Sequence, residues 1–140
     1  MKLIAVSGGF DPIHVGHVRM IQAAAKLGNV LVIVNNDHWL RAKKGYVFMP
    51  EQERLEIVES IRGVYRAVLT EHVSNDPDRS VCRALTCFRP DMFGNGGDRG
   101  TKNTPEIDLC NDLAIDLVWG LGGGKVQSSS ELVARHVQTC

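Results

Sequence analysis

The chain has 140 residues, of which 44% are hydrophobic and 23% charged, a balance typical of a globular domain with its own core. Its 16 basic and 16 acidic residues cancel, which argues against a surface built for nucleic acid or for an anionic membrane. No apolar run is long enough to cross a bilayer, so we predict one cytoplasmic domain over residues 1–140. The four cysteines lack a Cys-x-x-Cys spacing, which favours free thiols over a disulfide framework.

The first 28 residues combine a strand, a glycine turn and a helix. The apolar run at residues 3–6 predicts a buried strand, and good helix formers follow at residues 18–27. Gly28 stands where a left-handed helix C-cap is expected. Between strand and helix lies the string Ser-Gly-Gly-Phe-Asp-Pro-Ile-His-Val-Gly-His, which places His14 and His17 at the helix entrance. Free backbone N–H groups and the positive end of the helix dipole suit that place to a phosphate.

Strands and helices then alternate along the chain. The unbroken apolar run at residues 30–34 predicts a strand buried on both faces. Further strands are predicted at residues 67–69, 91–94 and 114–119, and helices at 50–63, 76–87 (capped by Asn75 or Asp76), 105–113 and 129–138. This alternation predicts an α/β fold, a Rossmann-like doubly wound parallel sheet of five strands in a single domain. Ligands bind such sheets beyond the carboxyl ends of the strands, where the histidine string falls.

The histidine string resembles the His-x-Gly-His signature of the nucleotidyltransferase (cytidylyltransferase-like) superfamily. There are two simpler interpretations. In the first, the two histidines lie on the surface and only cap the helix. In the second, they bind zinc as a pair, but a third ligand at a usual spacing is lacking. The resemblance implies that His14 and His17 are catalytic. It also implies nucleotide binding by the residues that precede them, namely Gly8, Gly9, Phe10 and Asp11.

Basic residues after the second strand extend the resemblance. Lys44, in a predicted loop at residues 41–45, matches the Lys-Gly pattern of heptose-phosphate adenylyltransferases, which implies a catalytic lysine that closes over phosphates. Lys43 is only its neighbour. Arg54 and Arg62 match two arginines of the glycerol-3-phosphate cytidylyltransferases that lie near triphosphate and acceptor. Eight residues are close to two helical turns, so both guanidinium groups could face one polyanion. The alternative for each of these four basic residues is a solvated charge on the surface.

A glycine loop and a serine run complete the resemblance, at Gly96, Gly97 and Asp98 and at Ser128, Ser129 and Ser130. The first is similar to the Gly-Gly-Asp string of the heptose-phosphate enzymes, which implies contact with the base or ribose, although a plain turn would also explain it. The second resembles the closing serine and threonine motif of the superfamily, which implies binding of the β- and γ-phosphates. It can serve as a helix N-cap at the same time.

The resemblance implies transfer of a nucleoside monophosphate to a small phosphorylated acceptor, with release of pyrophosphate. Mg²⁺ would enter with the nucleoside triphosphate, and no resident metal is expected. No nucleic-acid or membrane partner is expected either. The resemblance also implies that the protein is a homodimer. The arginine pair favours CTP and a glycerol-3-phosphate-like acceptor. ATP is the alternative, in enzymes of the heptose-phosphate or phosphopantetheine type. Gly123 favours ATP, since the glycerol-3-phosphate cytidylyltransferases carry an arginine at that position. Lys125 is the candidate replacement for the charge of that arginine. A non-catalytic nucleotide-binding regulator and a fragment of a class I aminoacyl-tRNA synthetase are further alternatives.

Overall fold

The computed structural model describes residues 1–96, 104–123 and 127–139, with a parallel sheet at its centre. The sheet contains β1 (Leu3–Gly8), β2 (Asn29–Val34), β3 (Val64–Leu69), β4 (Met92–Gly96) and β5 (Asp116–Leu121). The strand order is β3-β2-β1-β4-β5, so the winding reverses between β1 and β4. The predicted doubly wound α/β fold is confirmed. Within the described ranges, no helix is both long and apolar enough to span a membrane.

The helices cover both faces of the sheet. They are α1 (Val15–Ala25), α2 (Asp37–Lys44), α3 (Glu51–Glu59), α4 (Cys82–Phe88), α5 (Thr104–Leu113) and α6 (Ser129–Thr139). Neighbouring residues of β1 face opposite layers: Ile4 packs in a core with Ile21 of α1, whereas Ala5 packs with Leu85 of α4. Residues 30–34 of β2 are all buried, as their unbroken apolar run predicts.

Two stretches between the strands differ from the sequence prediction. Residues 37–44 form α2 and not a loop, because the Asn36 side chain accepts a hydrogen bond from Trp39 N and Gly45 ends the helix in a left-handed conformation. Conversely, the helix predicted from Asp76 begins only at Cys82. The Asp76 carboxylate accepts bonds from the backbone N–H groups of Val73 and Asp78, which folds the segment before α4 into a turn.

Gly28 lies where two strands approach each other closely. The prediction that it is a left-handed helix cap is wrong. Helix α1 ends at Ala25, and its C-cap residue, Lys26, has the right-handed conformation. A Cβ atom on Gly28 would lie 2.5 Å from the carbonyl oxygen of Lys2, just before β1. The glycine therefore allows the start of β2 to pack beside the start of β1.

We expect the turn after β5 to tolerate a methyl group at one glycine and not at its neighbour. Gly122 and Gly123 both have positive φ, 82° and 81°. A Cβ on Gly122 would lie 2.8 Å from Met20 N in α1, whereas one on Gly123 meets no described atom within 4 Å. Chemical denaturation should show a loss of about 1 kcal/mol for Gly123→Ala, from backbone strain alone. For Gly122→Ala the loss should be about 3 kcal/mol, since α1 must also shift. Equal losses would contradict the packing argument.

Candidate active site

A cleft of about 800 Å³ opens at the carboxyl ends of the strands. Ten of the residues predicted to form the site line it, namely Gly8, Gly9, Phe10, His14, His17, Lys44, Gly96, Ser128, Ser129 and Ser130. Asp11, Arg54 and Arg62 do not line it. Gly97, Asp98 and Lys125 fall outside the described residues. One cleft thus contains both the histidine string and the serine run, which are 111 or more residues apart in sequence. They meet because both follow a strand at the same edge of the sheet.

The two histidines cap α1 with their ring nitrogens. His14 Nδ1 accepts a hydrogen bond from Gly16 N at 3.0 Å, and His17 Nδ1 accepts one from His14 N at 3.1 Å. Each bond requires an unprotonated Nδ1, so the neutral ring carries its proton on Nε2. The cap therefore fixes the tautomer of both rings and makes each Nε2–H a hydrogen-bond donor.

Ring packing fixes the orientation of these imidazoles. The rings of His14 and His17 stack with centroids 3.9 Å apart, and the Phe10 ring lies 4.7 Å from that of His17. Phe10 is buried and adopts a positive φ of 53°. Gly8 passes close beneath it, since a Cβ there would lie 3.2 Å from the ring. Gly8 thus makes room for Phe10, which holds the ring of His17 in place.

Asp11 fastens the loop before α3 and does not face the cleft. Its buried carboxylate accepts hydrogen bonds from the backbone N–H groups of Phe48, at 2.7 Å, and Met49. Lys44, on the last turn of α2, is half-buried at the cleft. Burial lowers the pKa of Lys44, although the negative charge of Asp11 acts in the opposite direction. The structure thus gives Asp11 a supporting position and leaves Lys44 at the cleft.

Arg54 is fully buried and its guanidinium is used by the fold. Nε donates to the carbonyl of Met49 at 2.9 Å, and Nη1 donates to the carbonyls of Gly9, at 2.7 Å, and Asn35. Nη2 forms an ion pair with the Asp37 carboxylate at 2.7 Å. Contact with a triphosphate, as the sequence suggested, would require breaking these bonds. The structure instead supports a positioning role for Arg54.

Arg62 lies at the opposite edge of the sheet. Helix α3 ends at Glu59, so the two arginines do not share one helix as predicted. Arg62 is exposed and comes two residues before β3 begins, whereas the cleft lies beyond the ends of the strands. A six-residue strand spans about 20 Å, which separates Arg62 from the cleft of its own chain.

The serine run joins α6 to the histidine string. Ser129 Oγ donates to the carbonyl of Pro12 at 2.7 Å, and Ser128 Oγ accepts from Glu131 N at 3.3 Å as a helix cap. Ser130 is exposed at the cleft. The N-terminus of α6 is thereby held beside that of α1, and the two helix dipoles can act on one polyanion.

A second group of cleft residues lies on the side of β2 and β3, namely Asn35, Trp39, Pro77, Asp78 and Arg79. Of these, sequence reasoning missed Asn35, Trp39 and Arg79, and it also missed Glu106 and Gln127 on the other side. Trp39 was hidden because α2 was not predicted. Arg79 lies in the segment after β3, and the rule that ligands bind beyond the carboxyl ends of parallel strands is the signal that could have found it.

Comparison with known proteins agrees with this geometry. The chain matches the model of the family described as Cytidylyltransferase-like over residues 5–120. It belongs to that family. The resemblance drawn from the histidine string is therefore confirmed at the level of the family.

Curated relatives include an FAD synthase from Ferroglobus placidus, 31% identical over 99 residues, which are 71% of this chain and 61% of the relative. The bifunctional protein HldE from Nitratiruptor sp. is 28% identical over 143 residues, which cover 99% of this chain but 28% of that protein. This chain thus matches only part of the length of each. A lipopolysaccharide core biosynthesis protein from Thermoplasma volcanium has the same fold, with a TM-score of 0.68 and 24% identity over 86% of this chain and 94% of that one.

We expect Arg54 to matter for folding and Arg62 not to. Arg54→Met would leave the Asp37 carboxylate and three backbone carbonyls without their donor. Removing one partner of a buried ion pair costs about 3–5 kcal/mol. Arg62→Met, at an exposed position, should change the free energy of unfolding by less than about 0.5 kcal/mol. Urea denaturation followed by circular dichroism measures both, and a stable Arg54→Met protein would refute the positioning role.

Proposed function

We propose that the protein is an adenylyltransferase that transfers AMP from ATP to the phosphate group of a small phosphate monoester. The observation that carries the proposal is the paired cap of His14 and His17, which presents two fixed Nε2–H donors at the entrance of α1, in the cleft. Such donors stabilise negative charge that develops on phosphoryl oxygens.

In the proposed reaction, an oxygen of the acceptor phosphate attacks the α-phosphorus of ATP in line. A new P–O bond forms, and the bond from the α-phosphorus to the bridging oxygen breaks. Its electron pair leaves with pyrophosphate. A phosphate monoester is already largely ionised near pH 7, so no general base is required. Catalysis then depends on positioning the two phosphates and on neutralising their charge.

The remaining charge of the triphosphate would be met by Lys44 and by the N-terminus of α6. Lys44 extends from the end of α2, and its half-buried position strengthens its interaction with an anion. The backbone N–H groups of Ser129 and Ser130 and the hydroxyl of Ser130 lie at the start of α6. In this proposal the α-phosphate lies at the histidines and the β- and γ-phosphates lie at α6.

Several observations favour ATP over the CTP predicted from the sequence. The arginine pair that argued for CTP does not line the cleft, because Arg54 is buried in the fold and Arg62 lies at the far edge of the sheet. The relatives include FAD synthases and HldE proteins. FAD contains an AMP moiety, so its synthesis from a flavin phosphate transfers an adenylyl group. We therefore no longer propose glycerol 3-phosphate as the acceptor, and the sequence does not identify another one.

Mg²⁺ would be part of the substrate, bound to the triphosphate oxygens. Among the described residues, no three side chains of the His, Cys, Asp and Glu types are clustered as metal ligands. Mg²⁺ is commonly held mainly by substrate phosphates and water. The homodimer implied by the resemblance stays a prediction.

The direct test measures pyrophosphate release from ATP and from CTP, each with Mg²⁺, across a panel of phosphate monoesters. We expect ATP to support turnover with at least one acceptor and CTP to be at least ten times less effective. Faster release from CTP would restore the cytidylyltransferase interpretation. Binding of ATP without release for any acceptor would favour a nucleotide-binding regulator.

We expect His14→Asn to separate catalysis from stability. Asparagine is a good N-cap, so its side-chain oxygen can still accept the bond from Gly16 N, but the Nε2–H donor is lost. The kcat for pyrophosphate release should fall by about 10²–10³-fold, while the free energy of unfolding changes by less than about 0.5 kcal/mol. His38→Asn, at an exposed histidine of α2 that does not line the cleft, is the matched control and should leave kcat unchanged.

A further inference from the structure

A long connection without helix or strand joins β3 to α4, at residues 70–81. Its last part, residues 77–81, lines the cleft, and we call this part the cleft wall. Irregular segments of this length move readily unless other parts of the fold hold them. The position of the cleft wall therefore depends on the bonds that tie it to the sheet and to the neighbouring helices.

His72 ties the cleft wall to the segment that follows β3. Its Nε2 lies 2.9 Å from the carbonyl oxygen of Ser80, a residue of the wall. A carbonyl oxygen can only accept a hydrogen bond, so Nε2 carries a proton and donates it. The side chain of His72 is buried and does not line the cleft. His72 therefore acts on the cleft through the wall and not through contact with a ligand.

Thr70 fixes the other nitrogen of the His72 ring. Thr70 Oγ1 accepts a hydrogen bond from Asn36 N at 3.0 Å and lies 2.8 Å from His72 Nδ1. Because the proton of the neutral ring is on Nε2, the Thr70 hydroxyl donates to Nδ1. The bonds thus run in one direction, from Asn36 to Ser80, and each group donates to the next. Bonds in such a buried chain polarise and strengthen one another.

The chain of bonds begins at the N-terminus of α2. Asn36 is the N-cap of this helix, and its Nδ2 donates to the carbonyls of Thr70, at 3.1 Å, and His72, at 2.9 Å. A second bond acts in parallel, since Trp39 Nε1 of α2 donates to the carbonyl of Arg79, in the cleft wall, at 2.8 Å. Helix α2 and the cleft wall are therefore held together as one unit, and both line the cleft.

We propose that His72 is a positioning residue that sets the place of the cleft wall relative to α2 and the catalytic histidines. In-line attack brings the acceptor to the α-phosphorus from the side opposite to the pyrophosphate. With the pyrophosphate at α6, the cleft wall bounds that side, so displacement of the wall weakens acceptor binding more than nucleotide binding. The kinetic consequence rests on the proposed function, whereas the control of the wall by His72 does not.

Paired variants separate the hydrogen bonds from the volume of the side chains. His72→Gln keeps an N–H donor for the carbonyl of Ser80, whereas His72→Leu removes both ring nitrogens. Thr70→Ser keeps the hydroxyl, whereas Thr70→Val replaces it with a methyl group of similar size. Val58→Ala is the control for a loss of stability alone, because Val58 is buried in α3 and does not line the cleft.

The indole of Trp39 reports the position of the cleft wall without any substrate. The chain has two tryptophans, so Trp119→Phe leaves Trp39 as the single one. Trp119 is exposed on β5 and does not line the cleft. Fluorescence emission and acrylamide quenching are measured for each variant in this background. Pyrophosphate release at saturating ATP gives KM and kcat for the acceptor, calorimetry gives the Kd for ATP, and thermal denaturation gives the melting temperature.

We expect His72→Leu and Thr70→Val to release the cleft wall. The emission of Trp39 should shift to longer wavelength and its quenching should rise, because water reaches the indole when the wall moves away. The acceptor KM should rise about tenfold, with kcat and the Kd for ATP changed by less than about twofold. His72→Gln and Thr70→Ser should recover most of both signals. Val58→Ala should lower the melting temperature and leave both signals unchanged.

Failure of the positioning role and failure of the proposed reaction give different results. If His72→Leu leaves the emission of Trp39 or the acceptor KM unchanged, or if Val58→Ala changes them equally, the positioning role is refuted. If no acceptor supports turnover but His72→Leu shifts the emission and His72→Gln restores it, His72 still controls the wall and the proposed reaction falls. Should His72→Leu not fold, Thr70→Val and Thr70→Ser decide by the same criteria.

Discussion

The guanidinium of Arg54 satisfies acceptors from four separate segments: the glycine turn, the end of β2, the start of α2 and the loop before α3. A buried charge is tolerated only when it is paired and hydrogen-bonded, and here one planar group reaches all of these acceptors. Because Asp37 is the first residue of α2, the ion pair also fixes the helix that carries Trp39 and Lys44. The glycine turn before the histidines and the β2 side of the cleft therefore depend on one side chain that does not line it.

The histidine string combines stability and chemistry in the same atoms. The Nδ1 atoms of His14 and His17 close the exposed N-terminus of α1, which any helix must satisfy by some means. The same bonds fix the tautomer that makes Nε2 a donor. The hydrogen bonds that cap the helix therefore also preorganise the proposed site, and no further contacts are needed to orient the donors. Serine or aspartate would cap the helix as well, but neither presents a second donor atom on the far side of a rigid ring.

The sequence predicted what depends on local pattern. All five strands were found, since apolar runs such as residues 30–34 report burial directly, and the glycine turn with its histidines was placed at the correct edge of the sheet. What failed depends on distant partners. Arg54 has the spacing of a phosphate ligand, but its bonds to Gly9 and Asn35 come from segments up to 45 residues away. Gly28 looked like a cap because the carbonyl of Lys2 is invisible in its local sequence. Asp76 looked like a helix start because its turn bonds compete with helix capping.

The reversal of winding between β1 and β4 also divides the cleft along the chain. The side with Asn35, Trp39 and Arg79 is contributed before residue 82, and the side with the glycines and the serine run is contributed from Phe93 onward. Evolution can therefore change one half of such a chain, by substitution or by exchange of the segments after β2 and β3, without rebuilding the other half. A fold wound in this way separates two selective pressures into two blocks of sequence.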